Sequence, residues 1–363
     1  GISPAVGYFG PKTRAAMAAK GGSTSTTGGS TTPAPAGTGL TVRLASDQPA
    51  ASLAPASAAR IPFTKVQLTA SADGDITVTG LTVERTGLAQ DTALAAVLLL
   101  DENGAQLGLK KTLNSEHRAT VGEALTIKAG TTRTVTIAGN RAAAGTLGGQ
   151  TLALTVVGVN TSANVNATFP LAGATHTVNE TLSIGTVSLA RGPLDPGSSA
   201  TKEIGTTGYT FSSIKVTAGS TERVYLKSVR WNQTGSASAS DLANVKTWVD
   251  GTSYDATISS DGKYYTSTFP GNGLLMDKGF SKEFSAKGDI TGGSSRTVDF
   301  DLAKLTDLAL VGETYGYGIV PPQTNTCAAT TGTACFTSAE DPWYDGAVVT
   351  VSAGTMNVST SNA

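Results

Sequence analysis

Residues Ile61–Gly87, IPFTKVQLTASADGDITVTGLTVERTG, have a second copy in the chain, YTFSSIKVTAGSTERVYLKSVRWNQTG at Tyr209–Gly235. The two stretches align without a gap, so that Phe63 matches Phe211 and both copies end in Thr-Gly. Apolar residues alternate with polar ones on each side of a short polar turn, which is typical of a half-buried β-hairpin. We therefore predict a duplicated β-hairpin and, from it, a chain built of two repeats.

The repeat extends beyond this pair of strands. Thr132–Ala138 (TRTVTIA) matches Ser281–Lys287 (SKEFSAK), and Thr151–Val156 (TLALTV) matches Thr297–Leu302 (TVDFDL). Seven or eight short strands per copy, with turns between them and almost no helix, favour an immunoglobulin-like β-sandwich. A β-barrel is the competing fold.

We predict an all-β protein with two tandem immunoglobulin-like β-sandwich domains, at residues 40–181 and 182–352. The strands predicted for the first domain are Leu40–Leu44, Phe63–Thr69, Ile76–Arg85, Ala95–Leu100, Leu125–Lys128, Thr132–Ala138, Thr151–Val159 and His176–Leu182.

Composition narrows the class of partner. The chain has 363 residues, a net charge of −1 and only 15% charged residues. A near-neutral chain without a basic patch argues against a nucleic acid or an anionic membrane as partner. No apolar run reaches the roughly 18–20 residues of a membrane span.

The N-terminal residues carry a family resemblance. Gly7–Met17, GYFGPKTRAAM, resembles the closing segment of the small helical peptidoglycan-binding module found in cell-wall hydrolases and bacterial surface proteins. The resemblance covers about the last third of such a module, in a short predicted helix within residues 1–20, and we transfer no binding residues from it. It implies a bacterial envelope protein in which a module upstream of Gly1 contacts cell-wall glycan. A chance helix-prone segment is the alternative.

Residues 21–39, GGSTSTTGGSTTPAPAGTG, predict a flexible linker because they contain too few apolar side chains to form a core.

Two closely spaced cysteines, Cys327 and Cys335, predict a local disulfide and hence an extracellular location. Free thiols are the alternative, and a metal site is favoured least because no histidine lies nearby.

The sequence contains no recognisable catalytic motif. Its two histidines, His117 and His176, lie in no spacing typical of a nucleophile or a metal site, and no nucleophile elbow, Walker loop or HExxH motif occurs. We predict a non-enzymatic protein without a required cofactor. Three acidic groups contain oxygen atoms that could bind calcium. For Asp73–Asp75 and Asp101–Asn103, an ordinary turn is the favoured interpretation.

The third acidic group is SAEDPWYDG, residues 338–346. Three carboxylates adjoin two aromatic side chains there, a combination that can bind calcium or a glycan, or can instead pack a loop against a sheet. These candidate ligand residues are Glu340, Asp341, Trp343, Tyr344 and Asp345.

The C-terminal residues 353–363 resemble the first strand of a third repeat, because Thr350–Val358 has the pattern of Thr181–Leu189. The predicted assembly strand comprises Thr355, Met356, Asn357 and Val358. It could belong to a longer array or complete the sheet of a neighbouring subunit. Alternatively, it could pair within the second domain.

These features predict an extracellular, non-catalytic structural protein that self-associates into a surface layer or filament. An adhesin-type module that binds glycan or protein, and the accessory domains of a cell-wall hydrolase, are the alternatives.

Overall fold

The computed structural model describes residues 39–327 and 332–354. The N-terminal helix predicted within residues 1–20, nearly all of the predicted linker, and the predicted assembly strand Thr355, Met356, Asn357 and Val358 lie outside these ranges. No helix in the described ranges is long and apolar enough to cross a lipid bilayer.

The described chain is almost entirely β-structure. The first thirteen strands are β1 (Leu40–Leu44), β2 (Leu53–Pro55), β3 (Ala58–Ala59), β4 (Ile61–Ala70), β5 (Ile76–Thr86), β6 (Leu94–Leu100), β7 (Gln106–Lys111), β8 (Arg118–Val121), β9 (Leu125–Ile127), β10 (Thr132–Arg141), β11 (Thr151–Thr161), β12 (Val165–Asn166) and β13 (Leu171–Asn179).

The following strands are β14 (Val187–Arg191), β15 (Ala200–Glu203), β16 (Tyr209–Ala218), β17 (Val224–Gln233), β18 (Leu242–Val249), β19 (Thr252–Asp255), β20 (Thr257–Ile258), β21 (Tyr264–Thr268), β22 (Leu274–Met276), β23 (Ser281–Ile290), β24 (Thr297–Val298), β25 (Phe300–Asp301), β26 (Leu308–Gly312), β27 (Gly318–Ile319), β28 (Cys335–Phe336), β29 (Tyr344–Asp345) and β30 (Val349–Ser352). Within the described ranges, three single-turn 3₁₀ helices occupy Asp91–Ala93, Ala239–Asp241 and Leu305–Asp307.

The first sandwich consists of two sheets that enclose one core. One sheet has the strand order β12-β1-β4-β10-β6-β7, and the other has the order β2-β13-β11-β5-β8, with β9 also paired to β5. Alternate residues of both sheets point inward and bury side chains that include Phe63, Leu68, Leu81, Val83 and Leu154. The burial of one face of each strand is the main source of stability in such a sandwich.

The second sandwich repeats this plan. Its sheet β14-β16-β23-β18-β19 reproduces the order β1-β4-β10-β6-β7, and the opposing sheet is centred on β17. Its core is more aromatic and includes Phe211, Trp231, Tyr265, Phe284 and Phe300. The prediction of two tandem β-sandwich domains is therefore confirmed.

The predicted hairpin is wrong, because β4 and β5 belong to different sheets. β4 pairs with β1 and β10, whereas β5 pairs with β11, β8 and β9. The second copy behaves in the same way, with β16 and β17 in separate sheets. Alternation shows that each strand buries one face, and two strands facing each other across a core satisfy that pattern as well as two strands side by side. The duplicated unit is thus an arch that crosses the core.

One strand of the first domain begins earlier than predicted. The sequence places it at His176–Leu182, whereas β13 spans Leu171–Asn179. Its inward residues include Ala174 and Val178, and the small side chains at the start of the strand concealed the alternation from the sequence.

The two sandwiches share a strand pairing and several hydrogen bonds. β3, which precedes the first arch, pairs with β27 at the edge of a sheet of the second sandwich. The guanidinium of Arg60 donates to the carbonyl of Leu310 at 2.8 Å, and the hydroxyl of Tyr317 donates to the carbonyl of Leu53 at 3.1 Å. The β3–β27 pairing joins backbone to backbone, and the other two bonds join side chains to backbone carbonyls. Together they connect the two sandwiches.

Glu222 fixes the connection that leads into the second sandwich. This side chain is 1% exposed. Its Oε1 accepts a hydrogen bond from the backbone N–H of Gly185 at 2.6 Å, and Oε2 accepts from those of Thr314 at 2.8 Å and Tyr315 at 3.3 Å. The aligned position in the first copy is Gly74, whose surroundings are open. The carboxylate is therefore specific to the second repeat.

Candidate metal centre

Three aspartates meet at one end of the second sandwich. Asp299 and Asp301 lie on alternate positions around Phe300, so their carboxylates point to the same side of the chain. Asp345 comes from β29, which is held beside them because the N–H and C=O of Leu302 and Tyr344 exchange hydrogen bonds of 3.0 Å. The strand geometry thus brings carboxylates from distant parts of the sequence together.

The cluster is compact and partly buried. One carboxylate oxygen from each of the three aspartates lies within 4.8 Å of the others. Asp301 is 2% exposed; its Oδ1 accepts a hydrogen bond from the N–H of Gly346, and its Oδ2 accepts one from the hydroxyl of Thr234, both at 2.7 Å. Asp299 is 8% exposed, and its buried Oδ1 has no hydrogen-bond partner. A buried acceptor without a partner costs about 1–3 kcal/mol, and more when it is charged.

The electrostatics disfavour three ionised carboxylates in the absence of a cation. Within the described ranges, no lysine, arginine or histidine forms an ion pair with any of them. Burial, followed by repulsion from Asp301 and Asp345 and by a hydrogen bond between the Asp299 and Asp301 carboxyl groups, raises the pKa of Asp299 to about 8. Burial also raises the pKa of Asp301 to about 6 and raises the pKa of Asp345. Burial reduces the hydration of these carboxylates, and no positively charged side chain within the described ranges compensates for that loss.

The first sandwich lacks this cluster. In the alignment of TLALTV with TVDFDL, Ala153 stands at the position of Asp299, and Thr155 at that of Asp301. Both positions are buried in the first copy as well. The sandwich therefore forms with neutral side chains here, and the carboxylates are an addition to the fold.

The third carboxylate comes from a segment that the second copy has gained. Thr151 pairs with Thr177 in the first sandwich, and the aligned pair in the second is Thr297 with Thr350, about twice as far apart in sequence. The longer segment includes β28, β29 and the disulfide.

The disulfide between Cys327 and Cys335 is present, as the sequence predicts. Cys335 on β28 lies opposite Asp345 on β29. The covalent link therefore stabilises the same short hairpin that delivers the third carboxylate.

The aromatic members of the predicted ligand patch are not on the surface. Trp343 and Tyr344 are each 0% exposed and pack against Phe336, with ring centroids 5.3 and 4.7 Å apart. The hydroxyl of Tyr344 donates to Asp195 Oδ2 at 2.7 Å. These rings pack the inserted loop onto the sandwich, which was the alternative interpretation, and offer no face on which a sugar could stack. Burial decides this outcome, because an aromatic residue beside carboxylates is compatible with either role.

The acidic members of the patch separate. Glu340 forms a 3.3 Å ion pair with Lys110 of the first sandwich, and the N–H of Asp341 donates to the carbonyl of Ala303 at 2.7 Å. Only Asp345 joins the three-aspartate cluster.

Sequence reasoning missed Asp299 and Asp301, although the alignment of the two copies contained the signal. Two carboxylates replace Ala153 and Thr155 at alternate, buried positions on the strand face that points away from the sandwich core, where charged side chains are costly. A search for differences between the copies would have found them.

The other acidic groups form ordinary turns or ion pairs. Asp101 Oδ1 accepts hydrogen bonds from the N–H groups of Asn103 and Ala105, as the turn interpretation predicts. Asp75 accepts from the Lys128 ammonium at 2.7 Å.

Both histidines take part in structural contacts. His176 is 1% exposed; its Nδ1 accepts from the N–H of Ser52 at 3.1 Å, so Nε2–H donates to the carbonyl of Pro62 at 2.9 Å. Nδ1 of His117 lies 2.7 Å from a carboxylate oxygen of Asp91.

Comparisons with known proteins give distant structural likeness only. No protein-family model and no curated protein matches the chain. The calcium-binding domain CBD12 of CALX1.1 is similar at 10% identity and a TM-score of 0.21, over 72% of this chain and 79% of that one. The C-terminal domain of the antigen I/II-family protein AspA from Streptococcus pyogenes is similar at 10% identity and a TM-score of 0.20, over 78% and 98%. The secreted serine protease VesC from Vibrio cholerae is similar at 12% identity and a TM-score of 0.18, over 70% and 48%. These comparisons assign the chain to no family.

Proposed function

We propose that the chain is a non-catalytic building block of the bacterial cell exterior that associates with copies of itself through an open sheet edge. The observation that carries the proposal is a difference between the two sandwiches. In the first, β1 is paired on both sides, by β12 and β4; in the second, the equivalent strand β14 is paired by β16 alone among the described residues.

The outer edge of β14 offers backbone groups in a known direction. The N–H of Gly192 donates to the carbonyl of Ser213, and that of Gly219 donates to the carbonyl of Thr186. In an antiparallel pair these bonds alternate, so the N–H groups of the odd-numbered residues of β14, including Leu189 and Arg191, point away from β16. A strand from a second copy could pair there, as β12 pairs with β1.

The proposed donor is the C-terminal segment that contains Thr355–Val358, because its pattern matches the strands that open each repeat. Donation of a C-terminal strand to the β14 edge of the next copy joins subunits head to tail, which produces an open filament or layer when the rotation does not close a ring. The disulfide supports an oxidising, extracytoplasmic site of action.

Electron microscopy and light scattering of the purified chain test this proposal. Ordered assemblies of the full chain should be lost on deletion of residues 354–363 and in Arg191→Pro, which removes an outward N–H. Arg191→Ala, the matched control, removes the side chain but keeps the N–H, and should still assemble. A monodisperse monomer at all concentrations, or assembly that survives both changes, would refute strand donation.

A further inference from the structure

We propose that Asp299, Asp301 and Asp345 bind one divalent cation of the calcium class, which ties the inserted hairpin β28–β29 to the second sandwich. This inference does not depend on whether the chain assembles.

The spacing of the oxygens fits a single ion. Calcium binds oxygen ligands at about 2.3–2.6 Å, so two ligands on opposite sides of one ion lie about 5 Å apart. The three carboxylate oxygens, all within 4.8 Å of one another, can therefore share one coordination sphere.

The unpartnered oxygen of Asp299 points to a ligand. Its Oδ1 is buried and has no hydrogen-bond partner, whereas both oxygens of Asp301 are oriented by donors. Those donors fix the direction of the Asp301 carboxylate and still leave each oxygen a lone pair for a metal. A cation would give Asp299 its missing partner and would supply the positive charge that the described part of the chain does not place there.

The comparison between the copies excludes a general requirement of the fold. Ala153 and Thr155 fill the aligned positions of the first sandwich, which has no equivalent of the inserted hairpin. The two buried carboxylates of this strand and the segment that carries the third thus occur together in one copy and are absent together from the other. Such coupling is expected if the cation holds the insertion in place.

Calcium fits better than magnesium. Magnesium demands regular octahedral geometry and usually retains several waters, whereas calcium accepts irregular sets of carboxylate and carbonyl oxygens. As whole residues, Asp301 and Asp299 are 2% and 8% exposed, so few solvent molecules can reach an ion on that side.

Thermal unfolding of the full chain in EDTA, in 5 mM CaCl₂ and in 5 mM MgCl₂ tests the inference. We expect calcium to raise the Tm by about 5–10 °C if its concentration is near one hundred times Kd, and magnesium to raise it less. The variant Asp299→Ala/Asp301→Thr installs the residues of the first copy and should lose the calcium shift. Asp73→Asn, which removes an exposed carboxylate from a turn, is the matched control and should keep it.

Terbium luminescence gives a second readout that requires no variant. Trp343 and Tyr344, next to Asp345 in the sequence, should sensitise Tb³⁺ bound at this centre, and calcium should displace it. An unchanged Tm in calcium, no sensitised emission, or a calcium shift that persists in Asp299→Ala/Asp301→Thr would each overturn the proposal.

Discussion

Replacing Glu222 by alanine tests how the second sandwich is held to the segment that precedes it. The carboxylate accepts three backbone hydrogen bonds, from Gly185, Thr314 and Tyr315. Gly185 is buried, so its N–H would lose its partner without gaining water, at a cost of about 2–3 kcal/mol. Thr314 and Tyr315 are exposed, and water can replace much of their bonding. We therefore expect Glu222→Ala to lower the free energy of unfolding by about 3–4 kcal/mol in total.

A neighbouring glycine makes the prediction more specific. A Cβ at Gly312 would overlap the Glu222 carboxylate. Gly312→Ala should therefore destabilise the wild type but be tolerated in the Glu222→Ala background, because the obstructing atoms are gone. Such non-additivity is the signature of residues in direct contact.

Urea unfolding, followed by tryptophan fluorescence, measures both effects. Glu116→Ala, at an exposed glutamate, is the matched control and should stay within about 0.5 kcal/mol of wild type. A loss below 1 kcal/mol for Glu222→Ala, or additive effects of the two substitutions, would show that the carboxylate does not anchor this connection.

Two further predictions concern pH and redox state. Burial lowers the pKa of His176 below its usual value of about 6.5. As the pH falls below that value, the unfolded chain binds a proton at this histidine before the folded chain does. The free energy of unfolding should therefore fall by at most about 1.4 kcal/mol per pH unit. Urea titrations at pH 7.5 to 5 should show a shallower decline for His176→Gln than for wild type, and equal slopes would contradict this account. Loss of the disulfide, which closes a short loop of sequence separation 8, should cost about 2–3 kcal/mol in Cys327→Ser/Cys335→Ser. A reductant should reproduce that loss in the wild type and leave the double variant unchanged; stability that does not respond to reduction would refute it.

The duplication was legible in the sequence because each copy buries the same alternate residues. Phe63 and Phe211 align, and the strands that contain them occupy matching places in their sheets. The arch could not be predicted from the sequence, because alternation indicates which face of a strand is buried and not which strand is its hydrogen-bonded neighbour. The pairing of β4 with β10 depends on residues far along the chain.

One of the three aspartates of the candidate metal centre was predicted from the sequence. Asp345 stood out among local acidic residues, whereas Asp299 and Asp301 were hidden in a strand that looked like a repeat of TLALTV. Trp343 and Tyr344 misled for a different reason, because the same aromatic surface that can bind a sugar is also what a loop uses to pack on a sheet. Only the position of the core distinguishes the two roles.

The pairing of β3 with β27 has a consequence for how the chain can be divided. Arg60 and Leu310, which meet at this joint, are 250 residues apart in sequence, so the joint closes only after most of the second sandwich has been synthesised. A second sandwich expressed alone would expose the edge of β27, and exposed edges recruit other strands. Separating the two sandwiches would therefore create an aggregation-prone domain. The tandem pair is the smallest unit in which β3 and β27 remain paired.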